Sequence, residues 1–210
     1  MKLLALEAGG PVISAALFDG ADCVAEAFQR APQRQTESLA PLVLGLLRDR
    51  GWAASALGSL ACGVGPGSFT GLRSSLAFGQ GLVLALPDLQ LMGVPTLHAW
   101  AEAYCPAGRD QACVLLDGRR GQVYRAQVLR QGLGWADELA PALLDLGPAR
   151  AAAQGLLLGD LESAAPAQDG ADLARAVGRL ALAGDRATFE PLYLRRSEAE
   201  ILWEKLHPKA

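Results

Sequence analysis

The order in which hydrophobic periodicity changes along the chain constrains its fold more than any other feature. Three strand-type runs come first, Leu3 to Leu6, Val12 to Phe18 and Cys23 to Phe28, with turn chemistry at Ala8 to Pro11 and at Asp19-Gly20-Ala21-Asp22. Helical and strand-type segments then alternate: Ser38 to Arg50, Leu57 to Val64, Thr70 to Leu86, Leu89 to Val94 and Thr96 to Tyr104. Hairpins followed by alternation give β-β-β-α-β-α-β-α, an α/β topology distinct from the generic doubly wound sheet. Pro41 is tolerated only in a first turn, so the first helix is predicted to start near Ser38 and to stop at Gly51. Thr96 reads as the N-cap of the third helix.

The pattern restarts after Pro106-Ala107-Gly108, with a strand at Ala112 to Leu116, a tight turn at Asp117 to Gly121 and a strand at Gln122 to Leu129. Leu3-Leu4-Ala5-Leu6-Glu7 and Val114-Leu115-Leu116-Asp117 are both apolar strands that end in a carboxylate before a Gly-bearing turn, an internal repeat. Two lobes are expected, 1–105 and 106–210, the second smaller. Beyond residue 130 only a strand at Gly155 to Leu158, an exposed loop at Ala164 to Gly170 and a helix at Ala171 to Ala183 are legible.

At 210 residues, 51% hydrophobic and 20% charged, the chain is globular. Its net charge of −3 lacks the basic surplus by which a protein binds nucleic acid unaided, so RNA chemistry would draw its basic surface from another subunit. The apolar start at Leu3 to Leu6 is broken by Glu7 and Gly9-Gly10-Pro11, too early for a secretory signal, and the run Leu82 to Leu86 cannot span a bilayer. A cytoplasmic protein without membrane contact is expected. Cys23, Cys62, Cys105 and Cys113 have no Cys-x-x-Cys spacing and read as reduced structural thiols. His98 and His207 lie far apart, so neither a protein-held catalytic metal nor a hydrolase triad is expected, and no catalytic residue is assigned.

Gly65-Pro66-Gly67-Ser68-Phe69-Thr70-Gly71-Leu72-Arg73 joins a buried strand to a helix. Two readings stand. Backbone N–H groups at the helix start could hold an anion beside Ser68, Thr70 and Arg73, or the glycines serve a structural turn capped by Ser68 or Thr70. Asp117 and Arg119, with Arg120, are the matching candidates in the second hairpin, and a plain charged turn is the competing reading. Glu7 is the first-hairpin carboxylate, but Ala8-Gly9-Gly10-Pro11 offers no hydroxyl for a phosphate. Along the second helix Gly71, Ser75 and Gly79 form a stripe without bulk, while Phe78 and Leu82 lie on other faces. The first helix is apolar nearly all round, through Leu39, Leu42, Val43 and Leu46. A deeply buried helix explains this; so does a helical-bundle interface with a second chain, the expectation adopted for these nine residues.

The run from Gly65 to Arg73 closely resembles the signature of the TsaB (YeaZ) family, which serves threonylcarbamoyladenosine formation in tRNA. Leu3 to Glu7, Thr36-Glu37 with Leu39 and Pro41, Asp117-Gly118-Arg119-Arg120-Gly121-Gln122-Val123-Tyr124 and Pro191-Leu192-Tyr193-Leu194-Arg195 resemble further family motifs. The chain departs from the family in Gln35-Thr36-Glu37 and in Glu7-Ala8-Gly9, where His-Ser-Glu and Asp-Thr-Ser are usual. The resemblance implies an actin-like ATPase (ribonuclease H-like) fold of two duplicated lobes, the second reduced. It further implies a non-catalytic subunit paired with a TsaD-type catalytic subunit through its first-lobe helices. A TsaE-type ATPase, tRNA engaged through the complex and ATP or ADP in the assembly belong to the same expectation, with no cofactor held by this chain alone. A homodimer through the same helices is a further expectation, and a small-molecule kinase or peptidase-like enzyme of the superfamily is the alternative.

Overall fold

A computed structural model describes residues 1–32, 34–161, 170–196, 200, 202–203 and 206–207. Three antiparallel strands open the chain, β1 (Lys2–Glu7), β2 (Val12–Asp19) and β3 (Asp22–Arg30), followed by α1 (Gln35–Arg50). Then come β4 (Ser59–Gly63), α2 (Phe69–Ala85), β5 (Gln90–Val94) and α3 (Thr96–Tyr104). The second half holds β6 (Gln111–Arg119), β7 (Gln122–Gln131), β8 (Gly134–Asp145), α4 (Leu146–Ala151), β9 (Leu156–Gly159) and α5 (Leu173–Ala183). Strand order is β3-β2-β1-β4-β5 in the first sheet and β8-β7-β6-β9 in the second. The second sheet therefore repeats the first without its fifth strand. β1 pairs parallel with β4 from Leu3↔Ser59 to Leu6↔Cys62, and β6 pairs likewise with β9 from Ala112↔Leu156 to Leu115↔Gly159. This is the duplicated α/β architecture expected from the order of periodicities.

Leu3 to Leu6 are fully buried because both faces of the first sheet are covered, the condition under which a strand reads as a continuous apolar run. One face packs Leu4, Leu6, Leu17, Leu60 and Cys62 against Leu39, Val43, Leu46 and Leu76 of α1 and α2. The other face shares one core with the second sheet, joining Leu3 and Phe18 to Leu97 and Trp100 of α3, Val114 and Leu116 of β6, and Leu173, Val177 and Leu180 of α5. α3 lies between the two sheets, and α5, from the second half, packs on the strands of the first. Gly178 permits the contact: a Cβ there would stand 2.1 Å from the Phe18 ring.

Three sequence expectations change. α1 begins at Gln35, so Pro41 sits in its second turn. Gln35 buries its side chain and donates to the Gly10 carbonyl (3.3 Å), which draws the helix start back. Pro41 and Glu37, whose carbonyl it cannot serve, are both exposed to water. β8 and α4 were not expected. β8 is an edge strand carrying Pro141, Asp137 and Glu138, and it bulges twice against its partner β7, so no two-residue alternation marks it. Thr96 is the first residue of α3, behind Pro95, and is not its cap. Residues 162–169, most of the anticipated loop, lie outside the described residues.

A buried ionic triad fastens the halves. His98 of α3 places Nδ1 3.1 Å from both oxygens of Asp185 and Nε2 3.1 Å from Oδ1 of Asp137 on β8. Asp185 also accepts the Trp135 N–H at 2.9 Å. Burial opposes the imidazolium, but the hydrogen bonds and charges of Asp137 and Asp185 outweigh it and raise His98 from 6.5 to about 9. A raised folded-state value means that the triad's contribution is complete below pH 6.5 and is lost as pH climbs through about 9. Unfolding free energy should therefore fall by roughly 3 kcal/mol between pH 6 and 10, and His98→Gln should flatten that slope in urea titrations.

Candidate functional site

The signature run is a packing junction. β4 delivers the chain to Val64, the peptide before Pro66 is cis, and α2 starts at Phe69 with the Ser68 hydroxyl accepting the Gly71 N–H (3.3 Å). The β1–β2 turn lies directly on this corner. Ser68 N–H donates to the Gly9 carbonyl (2.7 Å), a Cβ on Gly67 would stand 2.7 Å from that same oxygen, and one on Gly71 would stand 1.8 Å from the Ala8 carbonyl. Only glycine allows two backbones to approach so closely.

Beneath the junction sits Glu7, with no solvent exposure. Its Oε1 accepts the Gly9 N–H at 2.6 Å and its Oε2 the Thr96 hydroxyl at 3.0 Å, while Thr96 Oγ1 also accepts the Gly65 N–H at 2.9 Å. Gly63 makes room, since a Cβ there would fall 1.7 Å from Oε2. Burial raises the carboxyl's affinity for its proton, opposed by the donors from Gly9, Thr96 and Ala8. Both oxygens are used, tying the end of β1 to the turn that follows it and to the start of α3. The first-hairpin carboxylate thus lies inside the chain, whereas Asp117 in the second hairpin is exposed.

The nine interface candidates divide by burial. Gly71, Ser75 and Gly79 face inward: the Ser75 hydroxyl donates back to the Gly71 and Leu72 carbonyls, and a Cβ on Gly79 would stand 2.5 Å from Leu60 and 2.9 Å from Phe189. The stripe is thus taken up by close packing on the chain's own sheet, which corrects its placement at a partner. Leu39, Val43 and Leu46 are likewise core. Leu42, Phe78 and Leu82 are half-buried at the rim of that core. The outward side of the α1–α2 pair carries residues outside these nine: Leu44 (60% exposed), which belongs to the all-round apolar surface of the first helix, Leu84 (89% exposed), and Gly45 and Gly81, whose Cβ positions are open space.

Of the five anion candidates, Ser68 caps α2 and the Thr70 carbonyl accepts the Ser74 hydroxyl (2.8 Å). Arg73 Nε donates to the Tyr193 hydroxyl at 2.8 Å, and its guanidinium lies over the Phe69 and Tyr193 rings, themselves stacked at 4.6 Å. Arg73 is thus held by aromatic residues of the chain itself. Asp117 Oδ1 accepts the Arg119 N–H (2.7 Å), and the Asp117 N–H donates to Asp160 (2.8 Å). Burial raises the Asp160 carboxyl, with the Asp117 N–H opposing and the Asp117 charge reinforcing the shift. Arg119 and Arg120 take left-handed backbone at φ 63° and 57°. The two groups of candidates are bridged by the segment after α5: Leu192 N–H donates to the Val64 carbonyl (2.7 Å), and Arg195 Nη1 donates to the Gly118 carbonyl. Thr96, Phe69, Phe189 and Tyr193 were missed as participants. The signal available for Tyr193 was an exposed aromatic in a motif shared with the family that also supplies Arg73.

Among the described residues no group of three or more His, Cys, Asp or Glu side chains could hold a metal ion, and no helix is long and apolar enough to cross a membrane. All four cysteines are free thiols, and burial leads the shift of each above its ordinary range.

Thr96→Val keeps the shape of the side chain but strips the Glu7 carboxylate of a donor and the Gly65 N–H of its acceptor. It should lower unfolding free energy by about 2–4 kcal/mol in denaturant titrations, with Thr96→Ser restoring most of the loss.

Residues 29–153 match the family described as TsaD, tRNA N6-adenosine threonylcarbamoyltransferase. The tRNA threonylcarbamoyladenosine biosynthesis protein TsaB of Escherichia coli K12 is 34% identical over 146 residues, 69% of this chain and 62% of that protein. TsaB of Haemophilus influenzae is 30% identical over 132 residues, 62% of this chain and 55% of its own length. The aligned regions thus span less than two thirds of these relatives. The solved structure of YeaZ from Pseudomonas aeruginosa superposes with a TM-score of 0.73 at 25% identity, covering 92% of this chain and 99% of that one. The chain belongs to the TsaB/YeaZ family, within the broader family that the threonylcarbamoyltransferase TsaD describes.

Proposed function

We propose that this chain is a non-catalytic partner subunit in the formation of threonylcarbamoyladenosine in tRNA, and that it docks on a TsaD-type catalytic subunit through the outward side of α1 and α2. The observation that carries the reading is the state of the signature junction. Its glycines, its carboxylate and its helix-capping hydroxyl all serve internal packing, in a chain 34% identical to a protein named for this biosynthesis. Glu7 has both oxygens engaged inside the protein, and the turn after β4 is crossed by Leu192, which bonds the Val64 carbonyl, and by Tyr193, which stacks on Phe69.

The docking surface is supported by exposed Leu44 and Leu84 beside half-buried Leu42, Phe78 and Leu82, with Gly45 and Gly81 leaving space for another helix to approach. The Thr36 and Ser74 hydroxyls, 2.7 Å apart, bond α1 to α2 so that the pair offers one surface. The proposal includes a cytoplasmic assembly with a TsaE-type ATPase, tRNA engaged through the complex, and ATP or ADP held by the assembly. The superfamily kinase or peptidase-like alternative is not favoured, because the first-hairpin carboxylate Glu7 has both oxygens engaged inside the protein.

Reconstitution tests this reading: threonylcarbamoyladenosine formation by the TsaD-type subunit should depend on adding this chain, and equal product without it would overturn the proposal. Gly81→Leu adds bulk outward and should keep or slightly raise the melting temperature, since glycine costs about 1 kcal/mol in a helix. It should also weaken partner binding at least roughly tenfold by calorimetry. Gly79→Leu faces Leu60 and Phe189 and should instead unfold the chain at lower temperature.

A further inference from the structure

The segment that follows α5 crosses the whole signature corner. Ala187 N–H donates to the Gly93 carbonyl at the sheet edge (2.8 Å), and the Phe189 ring reaches beneath α2 to Gly79. Leu192 bonds the Val64 carbonyl and places its own carbonyl 3.0 Å from where a Cβ on Gly65 would be. Tyr193 stacks on Phe69 and accepts from Arg73, and Arg195 ends the crossing on the Gly118 carbonyl. The two motifs that carry the family resemblance near residues 65–73 and 191–195 are therefore in contact.

Three of these contacts grip α2, at Phe69, Arg73 and Gly79. A helix resting on a sheet takes its height and tilt from the side chains between them. Under the middle of α2 there is no side chain at Gly79, so Leu60 and Phe189 set the spacing there. At its N-terminal end the Phe69–Tyr193–Arg73 stack sets it from the solvent side, with Tyr193 39% exposed. Contacts this exposed contribute little to global stability but are well placed to fix one helix.

We propose that the strap from Ala187 to Arg195, acting through Phe189 and Tyr193, is the positioning element for partner docking, holding α2 at the tilt that presents Gly81 and Leu84 to the catalytic subunit. The inference rests on the docking surface proposed above. Tyr193 is thus a positioning residue, and its effect on affinity exceeds its effect on folding.

The test compares variants of the full chain by calorimetry against the purified TsaD-type subunit and by hydrogen exchange of residues 69–85 in the free chain. Tyr193→Ala should weaken binding roughly tenfold and speed exchange along α2, and Tyr193→Phe, which keeps the stack and removes the acceptor, should weaken it about two- to fivefold. Val177→Ala, a core truncation in α5, should lower the melting temperature more than Tyr193→Ala yet keep affinity within about twofold of wild type. Wild-type affinity for Tyr193→Ala, with Gly81→Leu weakened, overturns the strap and leaves the docking surface standing. Loss of affinity with unchanged α2 exchange makes Tyr193 a direct contact and overturns the positioning role. An equal loss in Val177→Ala reduces the effect to stability and overturns it as well. Normal binding by Gly81→Leu removes the docking surface itself.

Discussion

A carboxylate with no access to water sets the terms for the first half of this protein. Glu7 ends a strand in the middle of a sheet covered on both sides, and an ionisable group there must be met by donors. The donors are the Gly9 N–H on the turn after β1 and the Thr96 hydroxyl at the start of α3. The turn after β1 therefore folds down onto the start of α2; the glycines at 67 and 71 let the backbones come that close, and Gly63 leaves room for the carboxylate. With its inner side committed in this way, α2 has only its outer side left for another molecule.

Much of this architecture was legible in the sequence, because its central strands are buried on both faces and read as unbroken apolar runs. The elements that escaped were those whose identity is set by tertiary contact. β8 is an edge strand that itself bulges twice against its one neighbour, and its composition is that of a solvated surface. The start of α1 follows Gln35, which earns its place by bonding the Gly10 carbonyl and by nothing local. At the site, the small-residue spacing of Gly71, Ser75 and Gly79 correctly announced a close approach, but spacing cannot say what approaches. The answer was the chain's own turn and sheet. Thr96 looked like a cap because a hydroxyl at a helix start usually is one, and its true partners, Glu7 and Gly65, are distant in sequence.

The two lobes are joined more firmly than their duplicated sheets suggest. One hydrophobic core runs through both, His98 links α3 to β8 and to the end of α5, and the segment beyond α5 reaches from the edge of β5 to the second hairpin. A protein that closes its lobes on a ligand needs a hinge and an open crevice. Here Leu192 and Tyr193 lie over the turn after β4, and the two sheets share one core.

The position of α5 in the chain has a consequence for how the protein is made. Leu173–Ala183 is the last well-formed helix described, yet its Leu173, Val177 and Leu180 help cover the inner face of the first sheet, formed by strands that end at residue 94. On the ribosome those first strands emerge long before the helix that shields them. Until it arrives, Leu3, Phe18 and Val94 present an apolar surface to solvent. The core of the first half is thus completed only once the second has been synthesised.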